Sequence, residues 1–319
     1  MKVVSLFSGI GAYEKALRNI GIDYELMNYC ELDRVKSKAY SLLHNVLEEL
    51  NLKDVTNIDC NKIEDFDLLV YSPPCQSYSI AGKQGGIKDV RGTLFYNALQ
   101  LIESKKPKYC VMENVDNLPN KFTKEFNDML DGLEAAGYKN YWKIINAKDF
   151  LPQNRSRVFV VSIRNDIDIS FEFPVGDYNG HWSDFINPYE TRTITERQSR
   201  MIYFAKGGGV EKIKIEGEIN FESSIIMLRQ SGLRFNKMNY FPTLCARMGT
   251  GGGNFPMIAY KGHVGGMTPR QGFKLMGFDY EDSDLLTENK FSVSSQYIMA
   301  GDSVCVPILE GIFKNLFNY

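Results

Sequence analysis

Short apolar runs alternate with helix-like stretches along the first half of the chain, and this alternation constrains the fold most strongly. It predicts strands at residues 2–7, 24–30, 67–71, 109–112 and 157–163, and helices at residues 13–19, 35–50, 94–103 and 122–136. Strands and helices that alternate in short units are typical of a doubly wound, mostly parallel sheet of the α/β class. Such sheets bind ligands at the carboxyl ends of their strands.

The periodicity weakens after about Asp177, where glycines at residues 207–209 and 249–253 interrupt the pattern. This change predicts a smaller, loop-rich second domain. We therefore expect a first domain at residues 1–180, the loop-rich domain at 181–265 and a more regular segment at 266–319. In that last segment, residues 297–309 are predicted to form a strand or turn that leads into a final helix.

The charge is distributed unevenly although the formal net charge is only −2. Residues 191–261 carry 11 Lys and Arg against 5 Asp and Glu, whereas the remainder of the chain carries 26 against 34. A basic module on an acidic body is the electrostatic pattern expected for contact with nucleic acid. An unevenly charged, solvated surface is the alternative interpretation.

The six cysteines include no CxxC pair, and only three histidines are present, so the sequence does not suggest a zinc site. We expect most of these thiols to be buried and reduced, as in a cytosolic protein. No apolar run approaches the roughly 20 residues needed to span a bilayer, so no transmembrane helix is expected. The first residues are interpreted as a core strand rather than a secretory signal.

The first predicted turn is glycine-rich, with the sequence FSGIG ending at Gly11. Gly9 and Gly11 allow a tight strand-to-helix turn and a close approach of a ligand to the backbone. The dinucleotide fingerprint requires a small residue where Glu14 stands, so NAD is disfavoured. Glu31 follows the second strand and can accept hydrogen bonds from the ribose hydroxyls of a nucleoside cofactor. A simple packing turn is the alternative.

The third predicted strand ends in Ser72-Pro73-Pro74-Cys75. The two prolines fix the backbone and present the following thiol at the sheet edge. A cysteine becomes a good nucleophile when positive charge or peptide dipoles stabilise its thiolate. The alternative is that Cys75 is a small core residue. Residues 82–91 are glycine-rich and basic, as suits a loop that closes over a bound polyanion.

Two further motifs flank predicted strands, namely Glu113-Asn114-Val115 and QNRSR, which contains Arg155 and Arg157. A carboxyl group beside the nucleophile can serve as an acid. Two arginines separated by one residue can direct their donors to the same anion or carbonyl group. A structural ion pair is the alternative for each of these side chains.

Taken in order, the motifs FSGIG, PPCQS, ENV, QNRSRVFVV and GDSV resemble the motif series of the cytosine-5 DNA methyltransferases, from residue 2 to about 309. The resemblance implies a Rossmann-like catalytic domain that binds S-adenosyl-L-methionine, a small target-recognition domain, and a C-terminal segment that returns to the catalytic domain. It implies a DNA (cytosine-5-)-methyltransferase that flips a cytosine out of a specific duplex sequence and forms a covalent adduct with Cys75.

Carried over by position, the resemblance assigns three sets of residues. The catalytic set is Cys75, Glu113, Arg155 and Arg157. The cofactor-binding set is Phe7, Gly9, Gly11, Glu31, Asp54, Pro74, Asp302, Ser303 and Val304. Candidate DNA contacts, including basic residues of the second domain, are Ser77, Lys83, Arg91, Arg229, Gln230, Arg234, Lys237, Thr243, Leu244 and Arg247. Asp302 departs from the usual GNSV motif and lacks the amide donor of asparagine.

Three rival interpretations differ in substrate or class. Methyltransferases acting on exocyclic amines place an aromatic residue after the Pro-Pro pair, where this chain has Cys75. A transfer-RNA cytosine methyltransferase of the same fold would keep the chemistry, and a non-enzymatic DNA-binding protein would not need Cys75, Glu113 and Arg157 together. We expect a cytoplasmic, nucleoid-associated monomer that acts on double-stranded DNA, and the resemblance admits a cognate restriction endonuclease as partner.

Overall fold

The computed structural model describes residues 1–74, 94–196, 222–229, 232–236, 238–246, 248 and 255–319. These residues form two compact units. Unit 1 comprises residues 1–146, 156–175 and 306–319, and unit 2 comprises residues 147–155 and 176–305.

The described strands are β1 (Lys2–Leu6), β2 (Glu25–Cys30), β3 (Leu68–Tyr71), β4 (Tyr109–Val115), β5 (Tyr138–Asn146), β6 (Gln153–Asn154), β7 (Ser156–Arg164), β8 (Thr191–Arg192), β9 (Ser223–Arg229), β10 (Gly232–Asn236), β11 (Phe241–Pro242), β12 (Phe255–Tyr260) and β13 (His263–Met267). The described α-helices are α1 (Ala12–Asn19), α2 (Arg34–His44), α3 (Leu94–Lys105), α4 (Asn117–Lys121), α5 (Thr123–Ala135), α6 (Trp182–Phe185), α7 (Pro269–Lys274), α8 (Tyr280–Glu288), α9 (Val293–Asp302) and α10 (Val306–Phe317).

Unit 1 is built on a six-stranded sheet with the order β2-β1-β3-β4-β7-β5. The first four strands are parallel, whereas β7 runs antiparallel to both β4 and β5. β3 is entirely buried, which explains why its sequence is a continuous apolar run rather than an alternating one. The mostly parallel α/β sheet predicted from the sequence is confirmed.

Helices α1 and α10 of unit 1 pack against each other. The rings of Tyr13 and Phe313 lie 6.5 Å apart between centroids, and Asn19 Nδ2 donates to Glu310 Oε1 over 2.6 Å. The chain segment after β13 therefore supplies a helix to the same unit as β1.

The structure differs from the sequence-based prediction at α2 and β5. The helix predicted at 35–50 ends at His44 because Asn45 adopts a left-handed conformation (φ 52°), which asparagine tolerates better than most residues. Strand β5 was not predicted. Among the described strands it pairs with β7 alone, at the side edge of the sheet, and its exposed positions carry lysines such as Lys139 and Lys143 instead of an apolar pattern.

Unit 2 contains more regular structure than the predicted loop-rich domain. Its described residues form a five-stranded sheet with the order β10-β9-β12-β13-β8, in which all neighbours are antiparallel. A two-stranded ladder joins β6 to β11. Thr268 caps α7 through its side chain, which accepts from the Gln271 N–H, and Pro269 follows as the first helical residue.

The two compact units are defined by contacts within the fold, whereas the boundaries predicted at residues 180 and 265 were placed where the sequence pattern changes. Residues 147–155 belong to unit 2 although they lie between two strands of unit 1, and residues 306–319 belong to unit 1. Where the structure describes the chain, no helix has both the length and the apolar character needed to cross a membrane.

Candidate active site

Four parallel strands of unit 1 are aligned near their carboxyl ends. Leu6 lies opposite both Cys30 and Tyr71, and Tyr71 lies opposite Met112. The next residues along these aligned strands are Phe7, Glu31, Ser72 and Glu113. Since the carboxyl edge of such a sheet is where ligands bind, this register brings predicted cofactor and catalytic residues to one edge.

The turn after β1 is held by the end of β2. Gly9 N–H donates to Glu31 Oε2 over 2.9 Å, and the other oxygen of this carboxylate accepts from Asp33 N–H over 2.8 Å. Gly11 precedes α1 with a φ of 79°, in the left-handed region that favours glycine. The Glu31 carboxylate therefore holds the turn through the backbone N–H of Gly9.

Glu31 is half-buried, and burial raises the pKa of its carboxyl group. Each of its oxygens accepts one backbone hydrogen bond and retains a further acceptor position. Asn51 fixes the same residue, because its side chain accepts from Glu31 N–H and donates to the Glu31 carbonyl, both over 3.0 Å. Sequence reasoning did not identify Asn51, which lies in no motif.

Asp54 precedes a short 3-10 segment, Val55–Asn57, and its Oδ1 accepts from Thr56 N–H over 3.0 Å and from Thr56 Oγ1 over 2.7 Å. These bonds lower the pKa of the Asp54 carboxyl group. Burial, followed by the charges of Glu31 and Asp54, raises the pKa of the Cys30 thiol to about 12. Two of the predicted cofactor-binding acids, Glu31 and Asp54, therefore lie near the end of β2.

The Pro-Pro segment after β3 is tied to two neighbouring elements. Asn114 Nδ2 donates to the Pro73 carbonyl over 3.3 Å, and Tyr13 Oη donates to the Tyr71 carbonyl over 3.2 Å. Tyr13 Oη also lies 2.9 Å from Ser72 Oγ. Residues 75–93 are not described, so Cys75 lies outside the described residues, as do Ser77, Lys83 and Arg91.

Glu113 and Arg157 form an ion pair across β4 and β7. Arg157 Nε lies 3.1 Å from Glu113 Oε1, and the two side chains are 17% and 10% exposed, respectively. A second guanidinium nitrogen, Nη1, donates to the Ser156 carbonyl over 2.7 Å. The structure thus brings together two of the predicted catalytic residues in a largely desolvated pair at the carboxyl edge of the parallel strands.

Arg155, also predicted to be catalytic, has a different environment within unit 2. It is 3% exposed, and its guanidinium donates to the carbonyl groups of Leu244 (3.0 Å), Gly301 (3.2 Å) and Ser303 (2.8 Å). These contacts give Arg155 a structural role, because they join the Thr-Leu segment to the GDSV turn. The Nη1 and Nη2 groups of Arg155 thus donate their hydrogen bonds to main-chain oxygens of the protein.

The neighbours of Arg155 reinforce this junction. Gln153 Oε1 accepts from Leu244 N–H over 3.1 Å, and Thr243 Oγ1 donates to the Asn154 carbonyl over 2.6 Å. A Cβ atom at Gly301 would lie 2.3 Å from the backbone nitrogen of Ala246, so only glycine fits there. Ser303 and Val304 are buried and Asp302 is exposed.

The predicted DNA contacts are only partly covered by the structure. Arg229 and Arg234 lie on β9 and β10, where Arg229 pairs with Gly232 and Arg234 with Met227. Three other candidates, Gln230, Lys237 and Arg247, lie outside the described residues.

Known proteins are similar to this chain along its whole length. A family model described as C-5 cytosine-specific DNA methylase matches residues 1–318. The type II methyltransferase M.Bsp6I of Bacillus sp. (strain RFL6) is 32% identical over 324 residues, covering 100% of this chain and 99% of that protein. The orphan methyltransferase M.Rho11sI of Bacillus phage rho11s is 44% identical over 169 residues, which are 52% of this chain. That match spans about a third of the phage protein, 34% of its length.

Among solved structures, the methyltransferase EhMeth of Entamoeba histolytica is similar with a TM-score of 0.71 and 18% identity, covering 100% of this chain and 98% of EhMeth. This likeness confirms the predicted Rossmann-like methyltransferase fold, and the match to the family model confirms the enzyme class indicated by the motifs. The chain belongs to the family of C-5 cytosine-specific DNA methylases.

Proposed function

We propose that this protein transfers a methyl group from S-adenosyl-L-methionine to carbon-5 of a flipped cytosine in a specific sequence of double-stranded DNA. Cys75 is the nucleophile and forms a covalent adduct with the base. The observation that carries this proposal is the Glu113–Arg157 pair, whose atoms lie 3.1 Å apart in the row of strand ends that also leads to Cys75.

The chain's own residues act on the cytosine ring in the following way. The Cys75 thiolate adds to carbon-6, which converts the ring into an enamine and makes carbon-5 electron-rich. The carboxyl group of Glu113 supplies the proton or hydrogen bond that ring nitrogen-3 needs as negative charge moves there. Arg157 stabilises charge on the exocyclic carbonyl oxygen. After methylation, loss of the carbon-5 proton expels the thiolate and restores the free enzyme.

The residues after β1 and β2 fit a nucleoside cofactor. A Cβ atom at Gly9 would meet no described atom within 4 Å, so the turn has open space on that side. Glu31 retains acceptor capacity for ribose hydroxyls, and Phe7, Gly11 and Asp54 lie on the same strand ends or the loops after them. Pro74, Asp302, Ser303 and Val304 complete the proposed contacts. When bound, S-adenosyl-L-methionine supplies an electrophilic methyl group.

Duplex DNA is the proposed substrate, and a cytosine inside the duplex must be flipped out before Cys75 can reach it. Unstacking costs a few kcal/mol, which backbone contacts of the basic module at 191–261 offset. A monomer with a cognate restriction endonuclease acting on the same site remains our expectation. Arg155 acts in this scheme by holding unit 2 together rather than by touching the base.

Nucleoside mass spectrometry tests the proposal. Duplex DNA is incubated with the protein and isotope-labelled S-adenosyl-L-methionine, and the label is expected in 5-methyl-deoxycytidine. Cys75→Ser should abolish labelling while DNA and cofactor still bind, whereas Cys60→Ser, a change in a half-buried thiol, is the matched control. Turnover retained by Cys75→Ser, or label in an N-methylated base, would contradict the mechanism. Label in transfer RNA alone would change the substrate.

A further inference from the structure

His44 ends helix α2 beneath the glycine turn of unit 1. Its Nε2 lies 2.9 Å from the Ile10 carbonyl oxygen, and its side chain is buried with a residue exposure of 9%. Ile10 stands between Gly9 and Gly11, the two glycines of the proposed cofactor turn. Because a carbonyl oxygen only accepts hydrogen bonds, Nε2 carries the proton and the ring is a donor.

The ring cannot easily move away from this position. A Cβ atom at Gly11 would lie 2.0 Å from His44 Nε2, so the imidazole packs directly against the glycine. On another side the Tyr40 ring lies 4.6 Å away between centroids, and Tyr40 itself stacks on Tyr29 at 4.2 Å. Tyr29 Oη is hydrogen-bonded with Ser37 Oγ at 3.1 Å and with Ser41 Oγ at 3.0 Å.

The ring also keeps one protonation state. Burial lowers the pKa of His44 to about 3, and the positive charges of Arg18 and Lys15 act in the same direction. The imidazole is therefore neutral near neutral pH, and its donor remains on Nε2 as long as the Ile10 carbonyl accepts. His44 is a fixed donor rather than a pH-dependent one.

The segment from Glu31 to His44 holds consecutive residues of the turn. Glu31, at the end of β2, accepts the Gly9 N–H, and His44, at the end of α2, donates to the carbonyl of the next residue. The two helix ends are locally defined, by the Asp33 cap at the start and by the left-handed Asn45 after the end. The side of the turn at Gly9 stays open, whereas the side at Gly11 is filled by the His44 ring.

We propose that His44 is a positioning residue for S-adenosyl-L-methionine, holding the Gly9–Gly11 turn in the conformation that accepts the cofactor. This inference rests on the proposed function. It assigns the effect to the Nε2–H donor, because any apolar residue of similar volume could fill the space but would leave the Ile10 carbonyl unbonded. Glutamine can place an amide nitrogen near the position of Nε2, whereas phenylalanine retains the ring without a donor.

Calorimetric titration with S-adenosyl-L-methionine and with S-adenosylhomocysteine separates these contributions. His44→Phe is expected to raise the dissociation constant about tenfold, the effect of leaving a buried acceptor unbonded. His44→Gln is expected to remain within about threefold of the unmodified protein. His263→Phe, which changes an exposed histidine in unit 2, is the matched control and should bind the cofactor as the unmodified protein does.

Steady-state kinetics provide a second readout. His44→Phe should raise KM for the cofactor by a larger factor than it lowers kcat. Thermal melting of each variant reports folding, and His44→Met replaces His44→Phe if the latter does not fold. Equal affinity in the donor-free variant, or equal weakening in His44→Gln, overturns the inference alone. If the unmodified protein binds neither ligand, the proposed function fails together with it.

Discussion

Replacing Arg157 by alanine should destabilise the protein strongly as well as abolish methylation, because it leaves Glu113 unpaired in a poorly hydrated position. Arg157 Nε and Glu113 Oε1 are 3.1 Å apart, and their side chains are 17% and 10% exposed. At an effective dielectric constant of about 20, that separation corresponds to a gross attraction of about 5 kcal/mol. Desolvation of both groups offsets part of this, and removing one partner of a buried pair costs about 3–5 kcal/mol.

A double-mutant cycle measured by urea denaturation checks this reasoning. Arg157→Ala should lower the free energy of unfolding by about 3 kcal/mol. Glu113→Gln should lower it less, since the amide oxygen still accepts from Arg157. The cycle should give a coupling energy of about 2 kcal/mol. In the double variant both charges are absent, so neither is left buried without its partner.

The matched control is Lys124→Ala, which breaks the exposed Lys124–Asp128 pair, whose side chains are 82% and 37% exposed. This change should cost less than about 0.5 kcal/mol. A loss below about 1 kcal/mol for Arg157→Ala, combined with additive effects in the cycle, would refute the view that the pair is desolvated.

Three other predictions concern single positions. Gly301→Ala should reduce stability sharply because its Cβ would lie 2.3 Å from backbone atoms, whereas Gly272→Ala, with its nearest described atoms at 3.6 Å, should be tolerated; thermal melting compares the two. Burial raises the pKa of the fully buried Glu14 above its usual 4.5, so its contribution to stability is present below that pH and lost as pH rises. Glu14→Gln should therefore gain stability relative to the unmodified protein as pH increases from 4.5 towards neutrality, and denaturation at several pH values measures the trend. Asn114→Ala removes the 3.3 Å hydrogen bond to the Pro73 carbonyl and should slow covalent trapping by 5-fluorocytosine DNA by about two- to tenfold; an unchanged trapping rate would show that this tether does not position Cys75.

The first half of the fold was predictable because β1, β3 and β4 are almost entirely buried and therefore stand out as apolar runs. The same runs located Glu31, which directly follows β2, and Glu113, which lies near the carboxyl end of β4. Strand β5 escaped prediction because an edge strand with exposed lysines has neither an apolar run nor a clean alternation. The end of α2 depends on the left-handed conformation of Asn45, which the spacing of apolar residues does not reveal.

Residues that act through contacts distant in sequence could not be predicted. His44 lies in no motif, and its relation to Ile10 depends on how α2 packs beneath the turn after β1. Arg155 and Arg157 are two residues apart and were predicted to act together, but they belong to different compact units with different partners. Spacing along the chain identified both arginines without distinguishing their environments.

The contacts of Arg155 bear on how far the sequence around Leu244, which we propose contacts DNA, can vary. The carbonyl groups of Leu244, Gly301 and Ser303 that accept from Arg155 are main-chain oxygens, which every amino acid possesses. The anchor therefore fixes the path of the segment around Leu244 without dictating the side chains that flank it. A substitution at the half-exposed neighbour Ala246 leaves those oxygens in place. Side chains on this segment that do not take part in the junction can therefore vary while the main-chain anchor stays the same.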